Sequence, residues 1–225
     1  MDRQRWLEQH FGCRLDDDQL LKQAFSHRSM GAHNNERLEF LGDSILGLVI
    51  SEALYHRFPS ADEGQLSRLR VSLVKGVTLA RVAREIELGE GLILGAGETH
   101  GGGRRRDSIL ADTLEALFGA ITIDKGYEAA KASVLRVFAQ RLADLRLEQA
   151  EKDPKTRLQE HLQGRGEALP VYELIRESGE EHARVFDVSC SLDIGGIHGE
   201  GRGSSRRSAE QLAAAAVLEK LGVNA

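Results

Sequence analysis

Two short acidic patterns in this 225-residue chain are spaced for shared chemistry. The first lies in Asn35-Glu36-Arg37-Leu38-Glu39-Phe40-Leu41-Gly42-Asp43-Ser44. On a helix, with Glu36 at zero, Glu39 falls at about 300° and Asp43 at about 340°, so three carboxylates share one stripe. Leu38, Leu41, Ile45, Leu48 and Val49 take the opposite face. The second pattern is Asp112 and Glu115 at i,i+3, again opposite an apolar stripe, here Leu114, Leu117, Phe118 and Ile121. Like charges at these spacings weaken a helix by about 0.2–0.5 kcal/mol per pair unless something neutralises them. A solvated helix face also carries Glu and Asp, but the repetition on a second helix favours a ligand. Carboxylates from two helices are what a hard divalent cation such as Mg²⁺ requires. Such a cation activates water and neutralises developing charge in phosphodiester hydrolysis. Spacing alone does not show that the two helices meet.

These residues need a scaffold, and the first two-thirds of the chain reads as helices. Apolar residues recur at three- and four-residue spacing over Trp6 to Phe11, Gln19 to Phe25, Glu36 to Arg57, Ser67 to Ile86, Ser108 to Asp124 and Tyr127 to Leu147. A Gly-dense loop separates the fourth and fifth of these, running from Gly89 through Gly101-Gly102-Gly103 to Arg104-Arg105-Arg106. Glu148 to Lys152 is charged and lacks core residues, and Asp153-Pro154 then sets an N-cap and a first-turn proline. Beyond it a helix over Pro154 to Gln163 gives way to period-two alternation in Val171 to Arg176 and Arg184 to Leu192. A short strand at Ile197 to Gly201 and a last helix at Ser205 to Leu221 follow. The expected architecture is an all-α domain over 1–147, a linker over 148–152, and a small α+β domain of order α-β-β-β-α over 153–225.

Composition excludes several classes. Cys13 and Cys190 are far apart and have no C-x-x-C partner, so neither a zinc site nor a disulfide framework is expected, which fits a reducing cytoplasm. The apolar runs are too short to span a bilayer, so no membrane association is expected. Formal charge is −5, and residues 153–225 hold nine Lys and Arg against twelve Asp and Glu. Nucleic-acid affinity, if present, must come from local clusters. Gly95-Ala96-Gly97 lacks the rest of a phosphate-binding loop, so no nucleotide cofactor is expected.

The string NERLEFLGDS resembles the signature of the ribonuclease III family. Ala24-Phe25-Ser26-His27-Arg28-Ser29, Asp62-Glu63-Gly64 and Ile109-Leu110-Ala111-Asp112-Thr113-Leu114-Glu115-Ala116 match its other blocks in order. The resemblance implies an endonuclease that hydrolyses double-stranded RNA with Mg²⁺, for which Mn²⁺ can substitute. Its metal ligands would fall on Glu39, Asp43, Asp112 and Glu115, with Asp43 and Glu115 tied most directly to hydrolysis and Glu36 and Glu63 accessory. It further implies a homodimer that cuts both strands, leaving 5′-phosphate and 3′-hydroxyl ends with short 3′ overhangs. Its substrates would be ribosomal RNA precursors and some messages. Phe40 resembles the residue that inserts into the partner subunit; a core position remains the other reading of its place at about 40° on the helix.

The C-terminal pattern resembles the double-stranded-RNA-binding domain. By that resemblance Gln159 and Glu160 on its first helix, His182 in the first turn, and Ser204, Ser205, Arg206 and Arg207 at the last helix would touch RNA. Such domains read A-form shape and 2′-hydroxyls. Where basic members of that family often carry a further lysine, this chain has Ser208-Ala209-Glu210, so affinity is expected to be modest and salt-dependent. Arg104 to Arg106 could contact RNA or be a solvated charge run, and His27, His33 and His100 have no ligand spacing. One rival reading is a non-catalytic double-stranded-RNA-binding dimer, which the four carboxylates oppose. Another is a di-metal oxidase, which lacks its Glu-x-x-His ligands here.

Overall fold

The computed structural model describes residues 1–150, 152–180, 184–193 and 195–223. They form two compact units, Met1–Ala150 and Glu151–Ala225.

The first unit is helical. Helix α1 (Arg3–Phe11) is capped by the Asp2 side chain, and α2 (Asp18–Ala24) by that of Asp17. The long α3 (Glu36–Arg57) and α7 (Asp107–Lys125) are the centre of the unit. Buried positions of α7 run almost all the way round it, from Ile109 to Ile121, which is the pattern of a helix enclosed by others. Trp6, Phe11, Phe25 and Phe118 pack ring against ring beside it, with centroids 5.4–5.6 Å apart, and the Trp6 indole N–H donates to the Ile86 carbonyl at 2.7 Å.

Four readings need correction. The run Ser67 to Ile86 is two helices, α4 (Glu63–Val74) and α5 (Gly76–Glu85). Lys75 between them is extended, at φ −64° and ψ 144°, so the apolar period continues in sequence while the axis changes direction. A capping box between Asp62 and Gln65 also starts α4 earlier than the apolar pattern does. The Gly-dense loop contains a short α6 (Ala96–His100) and two 3₁₀ turns, Leu88–Gly91 and Gly103–Arg105. The run Tyr127 to Leu147 breaks at Phe138 into α8 (Tyr127–Val137) and α9 (Ala139–Asp144). A 3₁₀ turn, Leu147–Ala150, follows, and the linker expected at 148–152 is accordingly shorter at its start. Ala150 is fully buried in the first unit's core and its carbonyl accepts from the Arg68 guanidinium. Leu147, at the start of the turn, packs against the same core.

In the second unit α10 (Pro154–Gly164) begins with the Asp153 side chain accepting from the Thr156 N–H. Strands β1 (Val171–Ser178), β2 (Val185–Ser191) and β3 (His198–Gly203) form an antiparallel sheet in that order. Tyr172 lies opposite Cys190, and Cys190 opposite Gly199. Helix α11 (Arg206–Lys220), capped by Ser205, closes the α-β-β-β-α order. A Cβ on Gly201 would stand 2.2 Å from the Ala209 carbonyl oxygen, so only glycine lets α11 lie this close to β3. Leu158, Leu162, Cys190, Ala213, Ala214 and Val217 fill the core between helices and sheet.

Candidate active site

The carboxylates meet because α3 and α7 cross at two glycines. A Cβ on Gly42 would lie 1.8 Å from the Glu115 carbonyl oxygen, and one on Gly119 would lie 2.1 Å from that of Leu38. With neither side chain present the backbones touch, and the acidic stripes beside the crossing are drawn together. One carboxylate oxygen each from Glu39, Asp112 and Glu115 lies within 4.8 Å of the others. Asp43, one turn along α3 from Glu39, is exposed and stands outside that tight triad. It is still the neighbouring charge that Glu115 feels most strongly.

Crowding shows in the protonation of these groups. Burial, reinforced by Asp43, Glu39 and Asp112, pushes the Glu115 carboxyl up to about 8. Burial also raises Glu39, with Asp112, Glu36 and Asp43 adding to it and Arg28 opposing. Asp112 is raised by burial against the pull of His27 and Arg28. Burial is the largest cause in each case, and neighbouring carboxylates add to it at Glu39 and Glu115. Oxygen-only donors, several negative charges and a site at the edge of solvent fit a hard divalent cation, so the residues present suit the Mg²⁺ or Mn²⁺ that the family resemblance implies.

A cavity of about 260 Å³ opens beside the triad, lined by His27, Arg28, Glu36, Glu98, Arg106 and Asp112 among others. Arg106 pairs with Glu98 at 2.5 Å, and Arg28 lies 4.0 Å from Glu36. Sequence reasoning missed His27 and Glu98 as neighbours of this site and left Arg106 undecided. No spacing rule relates residue 27 or 98 to residue 112; the only signal was that His27 and Arg28 fall in a matching family block. The arginine run is split by the fold. Arg104 is half-buried and donates to the Gly89 carbonyl at 2.8 Å, whereas Arg106 faces the cavity.

Glu63 is not brought to the triad within the chain. It opens α4, accepts from the Ser67 hydroxyl at 2.7 Å, and lines an apolar groove with Leu48, Leu54, Tyr55 and Leu66. Phe40, 78% exposed, is not a core residue of this chain.

In the second unit Gln159 and Glu160 are exposed on α10, with Glu160 held by Lys152 at 2.5 Å. Ser204, Ser205, Arg206 and Arg207 are exposed at the start of α11, where the Ser205 hydroxyl accepts from the Ser208 N–H. His182 lies outside the described residues.

Comparison with known proteins bears on both units. A family model described as Ribonuclease-III-like matches residues 17–142, and one described as Double-stranded RNA binding motif matches residues 154–221. Ribonuclease 3 of Methylococcus capsulatus is 54% identical over 215 residues, covering 96% of this chain and 94% of the relative. Ribonuclease 3 of Pseudomonas fluorescens is 55% identical over 217 residues, covering 96% and 95%. Among solved structures, the nuclease domain of ribonuclease III from Campylobacter jejuni superposes with a TM-score of 0.61 at 39% identity. That match covers 65% of this chain and 100% of that one. A second structure of that domain, described for flexibility in its dimer-forming region, gives 0.58 at 42% identity, covering 60% and 95%.

A helical domain with an acidic cluster at its central helix crossing, followed in sequence by a double-stranded-RNA-binding fold, defines a class of two-domain endoribonuclease that acts on duplex RNA. The chain belongs to the ribonuclease III family.

Proposed function

We propose that this endoribonuclease works as a Mg²⁺-dependent homodimer, with Glu39, Asp43, Asp112 and Glu115 holding the cation, and that Mn²⁺ substitutes for it. The observation that carries the reading is the convergence of Glu39, Asp112 and Glu115 within 4.8 Å. Bound there, a divalent cation lowers the pKa of water and neutralises charge gathering on the phosphate. Asp43 and Glu115 are the carboxylates that orient the attacking water. Water oxygen bonds to phosphorus as the bond from phosphorus to O3′ breaks, and a proton goes to that oxygen, so the products carry 5′-phosphate and 3′-hydroxyl ends.

One acidic cluster among the described residues accounts for one strand, and a two-fold pair accounts for staggered cuts in both, leaving short 3′ overhangs. Phe40, next to Glu39, suits the apolar groove of Leu48, Tyr55 and Leu66 on a second copy. Glu63 lines that same groove, so the docking would bring Glu63 of one copy toward Glu39 of the other, which gives Glu63 an accessory role. Glu36, beside Arg28, is accessory within its own chain. Gln159, Glu160, His182, Ser204, Ser205, Arg206 and Arg207 contact the duplex. The substrates are ribosomal RNA precursors and some messages in the cytoplasm.

The test is cleavage of a long RNA duplex by the purified chain in Mg²⁺, stopped by EDTA, with single-stranded RNA and duplex DNA as controls. Glu115→Gln is expected to shift the duplex on a native gel without cutting it. Cutting by that variant at the parent rate would remove Glu115 from the site.

A further inference from the structure

The adjoining ends of α10 and α11 hold a closed charge cluster. Lys155, the second residue of α10, donates from Nζ to Glu210 Oε2 at 2.6 Å. Arg206, the first residue of α11, donates from Nε to Glu210 Oε1 at 3.2 Å, the ordinary i,i+4 reach on a helix. Both carboxylate oxygens are therefore engaged, each by a different helix. The Lys155 ammonium also stands 4.4 Å from the centre of the Tyr172 ring, so it is held on two sides. The Glu210 side chain is only 14% exposed, which leaves these contacts less screened than ordinary surface pairs. Lys155, Arg206 and Arg207 face Asp153 and Glu210 here, three positive charges against two negative.

We propose that Glu210 competes with RNA phosphate for Lys155 and Arg206, and so sets the double-stranded-RNA-binding module to a weak, readily reversed grip. The inference rests on the reading of this module as the RNA-binding half of the enzyme. A phosphate reaching Arg206 must first take a charge-assisted hydrogen bond from Glu210. The displaced carboxylate is then left facing a polyanion. Arg207 is exposed at the next position, and its charge reaches Asp153. It makes no such bond to Glu210 and meets phosphate at smaller cost.

Fluorescence anisotropy of the full chain in EDTA, on an RNA duplex of about 20 base pairs, tests this between about 50 and 300 mM salt. Glu210→Gln is expected to bind about three- to tenfold more tightly at the low end, with a plot of log affinity against log salt steeper by about one. Arg206→Ala should cost less than about twofold in the parent chain and about fivefold or more beside Glu210→Gln, because only there is the guanidinium free. Unchanged affinity and slope in Glu210→Gln, or an equal cost of Arg206→Ala in both backgrounds, overturns the proposal. If Glu210→Gln unfolds the module by circular dichroism, the parent chain still decides: Arg207→Ala must then weaken binding more than Arg206→Ala does, and the reverse order overturns it. Binding of duplex by neither parent nor variant overturns the RNA-binding reading and this proposal together, whereas parent binding with no Glu210 effect overturns this proposal alone.

Discussion

At the crossing of α3 and α7 three carboxylates gather, and among the described residues no ion pair reaches Glu39, Asp112 or Glu115. At the adjoining ends of α10 and α11 a single carboxylate closes on two cations. The first arrangement is costly by itself, because buried like charges raise one another's proton affinity. It is relieved when a cation arrives. In the second the carboxylate and its cations are already paired, and any ligand must displace something. Charge clusters of similar size therefore carry different information: unpaired charge points to the sign of a ligand, while paired charge sets how hard a ligand must work.

Replacing Glu115 gives the largest expected effect and separates function from stability. Glu115→Gln should lower single-turnover cleavage by about a thousandfold or more, since a carboxylate proposed to hold the cation and orient the attacking water is lost. Without cation the same change should stabilise the fold. The Glu115 carboxyl is raised to about 8 in the folded chain from an ordinary 4.5. A raised carboxyl contributes full stability below its unfolded value and loses it as pH climbs through the folded one. After discounting for solvent at this half-buried group, Glu115→Gln should therefore gain about 1–2 kcal/mol in EDTA near pH 8. The gain should vanish toward pH 4.5. Thermal melts at the two pH values check the sign, and a loss of stability at pH 8 would break the claim that this cluster is unbalanced.

Gly42→Ala comes next. Its methyl group would need space now held by the Glu115 carbonyl, forcing the helices apart at a cost of about 2–4 kcal/mol. The thermal midpoint should fall by about 5–15 °C, and cleavage should fall with it at temperatures where the variant is still folded. Full activity in a folded Gly42→Ala would mean that the close crossing is not what assembles the carboxylates. A smaller effect follows from protonation. Because Glu115 holds its proton up to about 8, apparent Mg²⁺ affinity should strengthen as pH rises toward that value and level off above it. The limit is about tenfold per pH unit for one competing proton, measured by Mg²⁺ titrations of cleavage. A flat profile between pH 6 and 8 would mean that the cluster is fully ionised without its cation.

How far these features could be read in advance depended on whether they were local. The acidic stripes, the apolar faces of α3 and α7, and the Asp153-Pro154 start of α10 are set by residues three or four apart, and sequence resolves that scale. The crossing was not legible: Gly42 and Gly119 are 77 positions apart, and nothing near either announces the other. The same holds for Glu98 and His27, which join the cavity from separate segments. Lys75 shows a different failure, because the apolar period runs on through it while the backbone turns. Phe40 was undecided from its helical angle alone, and its exposure removes the core reading.

The smallest predicted effect sharpens the paired side of the comparison. Lys152 bonds both oxygens of Glu160, at 2.6 and 2.5 Å, on the face of α10 proposed to touch RNA. If paired clusters tune affinity by what they leave exposed, removing a cation here should act through the anion it releases. Lys152→Ala would leave the Glu160 carboxylate bare toward phosphate, weakening duplex binding by about twofold at low salt and by less as salt screens the repulsion. Lys152→Ala paired with Glu160→Gln should restore the parent affinity, because the pair then contributes no charge in either form. If Lys152 instead touches phosphate itself, the double variant will bind as weakly as Lys152→Ala alone, and the two results are separable by a single anisotropy series.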